Sequence, residues 1–185
     1  YKVLFGLLGV LIVALAIFTW LWFPRIEGTV PQRKSIVLRS RYWLYYALTL
    51  MSGARRQIFS AFAAFLLVER FGMKVHEVAG LFLVTAALNI YLAPRFGILI
   101  ARIGERHTIM LENLVLIGVF AGYAVTEDPL VAAMLFVVDG VFLTLVIAQR
   151  TYFQKIGDAA DMSPTAAVAF TINHIAAVFI PFGFG

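Results

Sequence analysis

Charged side chains inside apolar segments are the first candidates for chemistry in this sequence. Arg55 and Arg56 lie about halfway along a run that is otherwise apolar from Tyr42 to Val68. A guanidinium group at that depth of a bilayer costs at least roughly 2.5 to 3.5 kcal/mol on insertion scales, so it needs a polar interior to face. We therefore expect a solute path beside the two arginines. The alternative is a structural charge network that contacts no solute.

Helical spacing separates the two arginines. Arg56 shares one helical face with Ser52 and Ser60, whereas Arg55 shares another face with Met51 and Phe59. Faces made of small polar residues line cavities or close helix contacts. We predict that Arg56 points into the path and that Arg55 packs toward a neighbouring helix or an acidic partner.

Two carboxylates inside apolar segments could balance this charge. Asp139 is predicted near the middle of its segment, where it could change protonation during transport or form a static ion pair. Glu112 lies one turn into its segment, so it is either a second proton-coupling candidate or a partner of Arg102 or Arg106.

Two further polar residues complete the candidate path. His174 is the only histidine inside an apolar segment, and imidazole titrates near neutral pH, so it could bind solute or relay a proton. A satisfied hydrogen bond between helices is its alternative role. We expect Asn89 first to form a hydrogen bond between helices and second to donate a hydrogen bond into the cavity. The predicted substrate path therefore comprises Arg56, Asn89, Asp139 and His174, and the proton-coupling candidates are Asp139, His174 and Glu112.

Composition places the chain in a lipid bilayer. Hydrophobic residues make up 62% and charged residues 14%, against about 25% charged in an average soluble domain, and the mean hydropathy is +0.92. The net charge of +5 comes from basic residues between apolar segments, without a basic-aromatic surface pattern, so we expect no nucleic-acid partner. The sequence lacks cysteine, and its histidines have no metal-ligand spacing, so we expect no metal and no cofactor. Without a phosphate-binding loop or a nucleophile elbow, we do not expect an enzyme.

The apolar segments predict an all-α membrane protein with six transmembrane helices. Each is long enough to cross a bilayer, which takes about 20 residues. Asp128-Pro129 and Ser163-Pro164 begin two of them with a capping residue followed by proline. The predicted segments are 1–23, 42–68, 78–100, 108–125, 129–149 and 164–185, with a basic loop at 24–41.

The basic residues between these segments predict the orientation. Cytoplasmic loops carry the excess of lysine and arginine, and alternate loops here hold ten and three. The loop 24–41 is therefore predicted to be cytoplasmic, and the chain to begin on the outer side. The richer set is Arg25, Arg33, Lys34, Arg39, Arg41, Arg95, Arg102, Arg106, Arg150 and Lys155, and the poorer set is Lys2, Arg70 and Lys74.

The segment from Pro94 to Arg106 resembles the signature loop of the major facilitator superfamily. Gly97, Arg102, Gly104 and Arg106 fall on that pattern, while Ala101 stands where an acid is expected and Glu105 where a basic residue is common. The phrases at 53–59 and 172–178 also resemble segments of bacterial members. The chain starts with Tyr1 and ends at Gly185, both within apolar segments, so we expect a slice of a twelve-helix carrier.

The resemblance implies a function and a place in the parent protein. Segment 1–23 would be the last helix of the first half-bundle, and 42–185 would hold five helices of the second half-bundle, in a bacterial inner membrane. The parent would be a secondary active transporter that moves a small solute by alternating access, with proton coupling as an added option. The alternative is a structural scaffold or a cofactor-holding membrane subunit.

The loop motif has physical roles of its own. We expect Gly97 and Gly104 to allow a close approach of two helices, and Arg102 and Arg106 to anchor the turn at the anionic cytoplasmic leaflet. With Ala101 in place of the acid, an ionic contact from that position is not expected. A plain basic turn is the alternative interpretation.

Overall fold

The computed structural model describes residues 2–24 and 30–184, and these residues form helices without a strand. The all-α prediction is confirmed. Two compact units divide the chain, one ending at Pro31 and the other beginning at Gln32. The first unit contains helix α1, Lys2–Trp22, which buries none of its residues. Residues 25–29 of the predicted loop 24–41, together with Tyr1 and Gly185, lie outside the described residues.

The predicted segment 42–68 is built from three consecutive pieces rather than one uniform helix. After a 3-10 turn at Ser40–Tyr42, helix α2 covers Trp43–Gln57, a π-helical segment covers Ile58–Ala63, and α3 covers Ala64–Glu69. π-Helical turns are rare and recur at functional sites. The π-helical segment thus begins two residues after Arg56.

Helix α4, Val75–Val125, contains both the third and the fourth predicted segments in 51 residues. At its start the Lys74 amide donates to Glu77 Oε2 at 2.7 Å. Gly104 interrupts it, because φ is +80° and ψ is 163° at that residue. Only glycine adopts this backbone region readily. The backbone therefore leaves the helical path inside the sequence that resembles the signature loop.

Three helices complete the chain. Helix α5 covers Pro129–Phe142, α6 covers Ile147–Ile156 after a 3-10 turn at Leu143–Val146, and α7 covers Met162–Phe184. The Leu130 amide donates to Asp128 Oδ1 at 2.7 Å, so the predicted start at Asp128-Pro129 is confirmed.

Among the described residues, four helical stretches are long and apolar enough to cross a membrane: Lys2–Trp22, Val75–Val125, Pro129–Ile156 and Ala159–Phe179. This number is consistent with a membrane protein but differs from the six predicted crossings. Two causes account for the difference. The third and fourth segments join in α4, and the second is divided by the π-helical segment.

Helix α2 packs chiefly against α7, and α4 against α5. A Cβ added at Gly53 would lie 2.8 Å from the Asn173 carbonyl oxygen and 3.1 Å from Ala176 Cβ. A Cβ added at Gly140 would lie 2.5 Å from Thr85 Cγ2. Contacts this close mean that a larger side chain at either glycine would force its neighbours to shift. The two positions therefore fix how near α2 lies to α7 and α5 to α4.

Aromatic rings fill two cores along the segment 42–68, one at its π-helical part and α3 and the other near the start of α2. Phe59 and Phe136 stack with their ring centroids 4.6 Å apart, near the fully buried Leu67. Tyr45 and Phe153 stack at 4.4 Å in the second core. The polar residues described next therefore lie between well-packed apolar layers.

Candidate functional site

A buried ion cluster joins three helices on one side of α2. Arg55 Nη2 donates to Asp139 Oδ1 at 3.0 Å, and Nε donates to the same oxygen at 3.3 Å. Arg55 Nη1 pairs with Glu112 Oε1. The side chains are 9%, 1% and 5% exposed for Arg55, Asp139 and Glu112. Arg55, which we expected to face a helix or an acidic partner, thus bridges α4 and α5.

The cluster corrects one prediction for Glu112. Its partner among the described residues is Arg55, whereas we had considered Arg102 and Arg106. Arg102 and Arg106 are exposed on either side of Gly104, whereas Glu112 is buried and meets the Arg55 side chain that extends from α2. Asp139 makes the ion pair that was one of its two predicted roles, while proton coupling stays a prediction.

The charges in this cluster do not cancel. Two carboxylates face one guanidinium, so full ionisation leaves one excess negative charge in a buried place. Glu112 Oε2 has no hydrogen-bond partner among the described residues. A buried polar atom of this kind is costly unless it gains a partner. One proton on the carboxylate pair would remove the excess charge.

Arg56 lies in a different environment, at a crevice between α2, α6 and α7. Its Nη2 donates to Asn173 Oδ1 at 2.8 Å, and the side chain is exposed. The crevice has a volume of about 510 Å³. Its lining comprises Tyr45, Thr49, Ser52, Arg56, Val146, Gln149, Arg150, Phe153, Gln154, Met162, Ala166, Ala169, Phe170, Asn173 and His174.

Hydrogen bonds hold the polar wall of this crevice. Ser52 and Gln149 bond across α2 and α6, with Ser52 Oγ 2.9 Å from Gln149 Oε1. His174 Nδ1 lies 2.9 Å from the Phe170 carbonyl oxygen, and the ring centroids of His174 and Phe170 lie 4.1 Å apart. His174 Nδ1 therefore has its partner one turn earlier on α7, and a hydrogen bond from this ring to another helix is not found among the described residues.

A second crevice of about 380 Å³ shares Arg56 and is lined also by Asn89. Asn89 Nδ2 donates to the Gly140 carbonyl oxygen at 3.2 Å, and Asn89 Oδ1 accepts from Thr144 Oγ1 at 2.8 Å. Asn89 thus forms the predicted hydrogen bonds between helices. Of the four predicted path residues, Arg56, Asn89 and His174 line the crevices, whereas Asp139 lies in the buried cluster.

The loop-motif residues lie outside both crevices as described. Among the described residues, a Cβ added at Gly97 or Gly104 would meet nothing within 4 Å, so these residues do not make the expected close helix approach at either position. Gly104 is instead explained by its positive φ. Glu105, at a position where the resembling loop often has a basic residue, pairs with Lys155 Nζ at 2.6 Å.

Asp161 forms a cluster that sequence reasoning missed. Its buried carboxylate lies 3.0 Å from Arg33 Nε and 2.5 Å from Arg39 Nε, and it accepts from Tyr42 Oη at 3.1 Å. The hydrogen bond to Asp161 raises the pKa of the Arg39 guanidinium. The cluster ties the segment before α2 to the start of α7.

The polar crevice at Arg56 is the place in this structure where we look for function. Comparison with protein-family models, curated proteins and solved structures gave no match. The described residues contain no group of three or more His, Asp or Glu side chains that could hold a metal.

The sequence analysis did not identify Gln149 and Arg150 as residues that line the crevice. The signal that could have found them was their position at the end of an apolar run.

Proposed function

We propose that this chain is part of a secondary active transporter of the major facilitator type, which moves a small solute by alternating access. The observation that carries the proposal is the polar crevice at Arg56, two of whose three walls belong to stretches apolar enough for a membrane, Pro129–Ile156 and Ala159–Phe179. A cationic group amid apolar helices is tolerated where it faces a wet cavity. Carriers place their binding site in such a cavity near the bilayer midplane.

The topology of the proposal has six crossings. Helix α4 supplies two of them, joined at Gly104, and α2, the π-helical segment and α3 together supply another. Loop 24–41 is cytoplasmic in a bacterial inner membrane, following the distribution of basic residues. The remaining helices of the parent transporter close the open side of the crevices. This chain alone therefore does not move solute.

The interrupted second crossing supports the same function. The π-helical segment Ile58–Ala63 starts two residues after Arg56. Interrupted helices recur at the binding sites of transporters, because unwound or widened turns leave backbone groups for a solute. In this proposal the π-helical segment is where the second crossing bends as access alternates.

Proton coupling is a further part of the proposal, assigned to Glu112, Asp139 and His174. Arg55 holds the two carboxylates, and the uncancelled charge of their cluster leaves room for one proton. His174 lines the crevice, where a proton can exchange with solute. Uptake by the intact parent that ignores a pH gradient would remove this part.

Cysteine accessibility tests the alternating crevice directly. The chain has no cysteine, so in the intact parent with any other cysteine replaced, Ser52→Cys would be a single reporter that lines the crevice. In right-side-out and inside-out vesicles that hold this intact parent, a membrane-impermeant thiol reagent should label Ser52→Cys from both sides. Ile90→Cys is the matched control, because Ile90 is an exposed apolar residue of α4 and is expected to face lipid.

The two outcomes separate a carrier from a scaffold. Labelling at Ser52→Cys from both sides, with Ile90→Cys unlabelled, supports a water-filled path with alternating access. Labelling at Ser52→Cys from neither side, as at Ile90→Cys, would show a dry helix contact and favour the scaffold.

A further inference from the structure

The charge of the crevice at Arg56 points to the kind of solute it takes. Its described lining contains Arg56, Arg150 and His174 but no Asp or Glu. Both carboxylates that could have balanced the arginines inside apolar segments, Glu112 and Asp139, are bound to Arg55. The crevice thus keeps an uncompensated positive charge in the described structure.

The guanidinium of Arg56 has donors to spare. A guanidinium carries five N–H groups in a planar fork. One of them, on Nη2, is used by Asn173 Oδ1, and the described residues supply no partner for the others. Guanidinium groups bind carboxylates and phosphates through two parallel hydrogen bonds. Asn173 therefore holds Arg56 in place while leaving one edge of the fork open.

Aromatic and apolar residues form the rest of the wall. Tyr45 and Phe153 stack at 4.4 Å along one side, and Phe170 lies beside His174 on another. A volume of about 510 Å³ falls within the roughly 300 to 1,000 Å³ of pockets for small molecules. The wall suits a solute with an apolar or planar body next to its charged group.

We propose that this crevice binds a small organic anion, with Arg56 bonding the carboxylate or phosphate group and the aromatic wall contacting the apolar body. The inference rests on the proposed transport function, whose substrate class it specifies. Arg150 adds a second positive charge from α6, and His174 adds a polar contact from α7. Neutral or cationic solutes of the same shape lack the group that Arg56 recognises.

Four probes of one shape test the charge preference. Benzoate, phenyl phosphate, benzamide and benzylamine share an aromatic ring and differ in charge. Binding to the purified chain in phosphatidylcholine nanodiscs is measured by isothermal titration calorimetry. We expect benzoate or phenyl phosphate to bind at least about tenfold more tightly than benzamide, since hydrogen bonds to charged groups exceed neutral ones by about that factor. The tighter of the two anions identifies the charged group.

A matched pair of variants tests the role of Arg56. Arg56→Gln should reduce the preference for the anion over benzamide to less than about threefold, because the charged fork is lost. Arg70→Gln makes the same change in charge at an exposed residue outside both crevices, and it should keep the preference. Equal midpoints of thermal unfolding for the two variants and the unmodified chain show that the fold is retained.

The results distinguish this inference from the proposed carrier. Equal affinity for benzoate and benzamide, no binding of any probe at millimolar concentration, or an anion preference that survives Arg56→Gln would overturn the anion site. Anion binding together with labelling of Ser52→Cys from one side only would keep the site and remove the carrier. Labelling from both sides with preference for benzylamine would keep the carrier and remove the anion site.

Discussion

Arg55 and Asp139 form a buried ion pair across 84 positions of the chain, with Nη2 and Oδ1 3.0 Å apart. The next residue, Arg56, turns to the crevice and bonds Asn173. Successive residues of an α-helix are rotated by about 100°, so two neighbouring arginines serve different surroundings. One is neutralised in the protein interior, and the other is left available.

The ion cluster predicts an unequal cost for removing its members. Arg55→Leu leaves two buried carboxylates without a cation, so we expect a loss of about 3 to 5 kcal/mol in the free energy of unfolding. Asp139→Asn leaves Arg55 paired with Glu112, so its cost is smaller, about 1 to 3 kcal/mol. Unfolding of the chain in mixed micelles with increasing dodecyl sulfate measures both.

A triple variant gives the control for this cluster. Arg55→Leu combined with Glu112→Gln and Asp139→Asn removes every charge, so it should recover more than half of the loss caused by Arg55→Leu alone. An Arg55→Leu variant no less stable than Asp139→Asn would contradict the charge arrangement.

The close approach at Gly53 predicts that the contact between α2 and α7 does not tolerate an added methyl group without a loss of stability. Gly53→Ala places a methyl group 2.8 Å from the Asn173 carbonyl oxygen, so we expect it to destabilise the chain by about 1 to 3 kcal/mol through overpacking. Gly80→Ala is the control, because an added Cβ there meets nothing within 4 Å. That change should be neutral or stabilise by up to about 1 kcal/mol. Equal unfolding midpoints for the two variants would show that the close contact is absent.

The positive φ at Gly104 predicts that the interruption of α4 depends on glycine at this position. Gly104→Ala forces a side chain into a backbone region reserved for glycine, at a cost of about 1 to 3 kcal/mol. Spin labels on either side, at exposed Arg95 and Leu114, should then report a longer distance, as expected of a continuous helix. Gly97→Ala, also in α4 and in open space, should leave the distance unchanged. An unchanged distance in Gly104→Ala would show that another residue interrupts the helix.

Asp161 predicts how firmly the segment before α2 is held. Asp161→Asn weakens its contacts to Arg33 and Arg39, so trypsin should cleave after Lys34 at least several-fold faster. Asp158→Asn removes the half-exposed pair with Arg41 and should have little effect, since exposed ion pairs contribute little. Equal cleavage rates in the two variants would show that Asp161 does not hold this segment.

The sequence predicted those features that depend on local spacing. Hydropathy and capping residues identified the all-α class and the start of α5 at Asp128-Pro129, and helical phase separated Arg55 from Arg56. The partner of Glu112 depends on which helices meet, and that is decided by contacts far apart in sequence, such as Gly140 against Thr85. Arg150 was missed because α6 continues beyond the apolar run, so a residue assigned to a loop lines the crevice.

The π-helical segment Ile58–Ala63 gives α2 and α3 different rotational phases. A π-bulge is equivalent to one extra residue in an α-helix, which shifts everything after it by about 100° around the axis. Deleting a single residue there should regularise the helix and swing Leu67 out of its buried core, or else turn both arginines away from their present surroundings. The π-helical segment therefore sets the rotation between α2 and α3, so that Arg55 faces its buried carboxylates while Leu67 faces its apolar core.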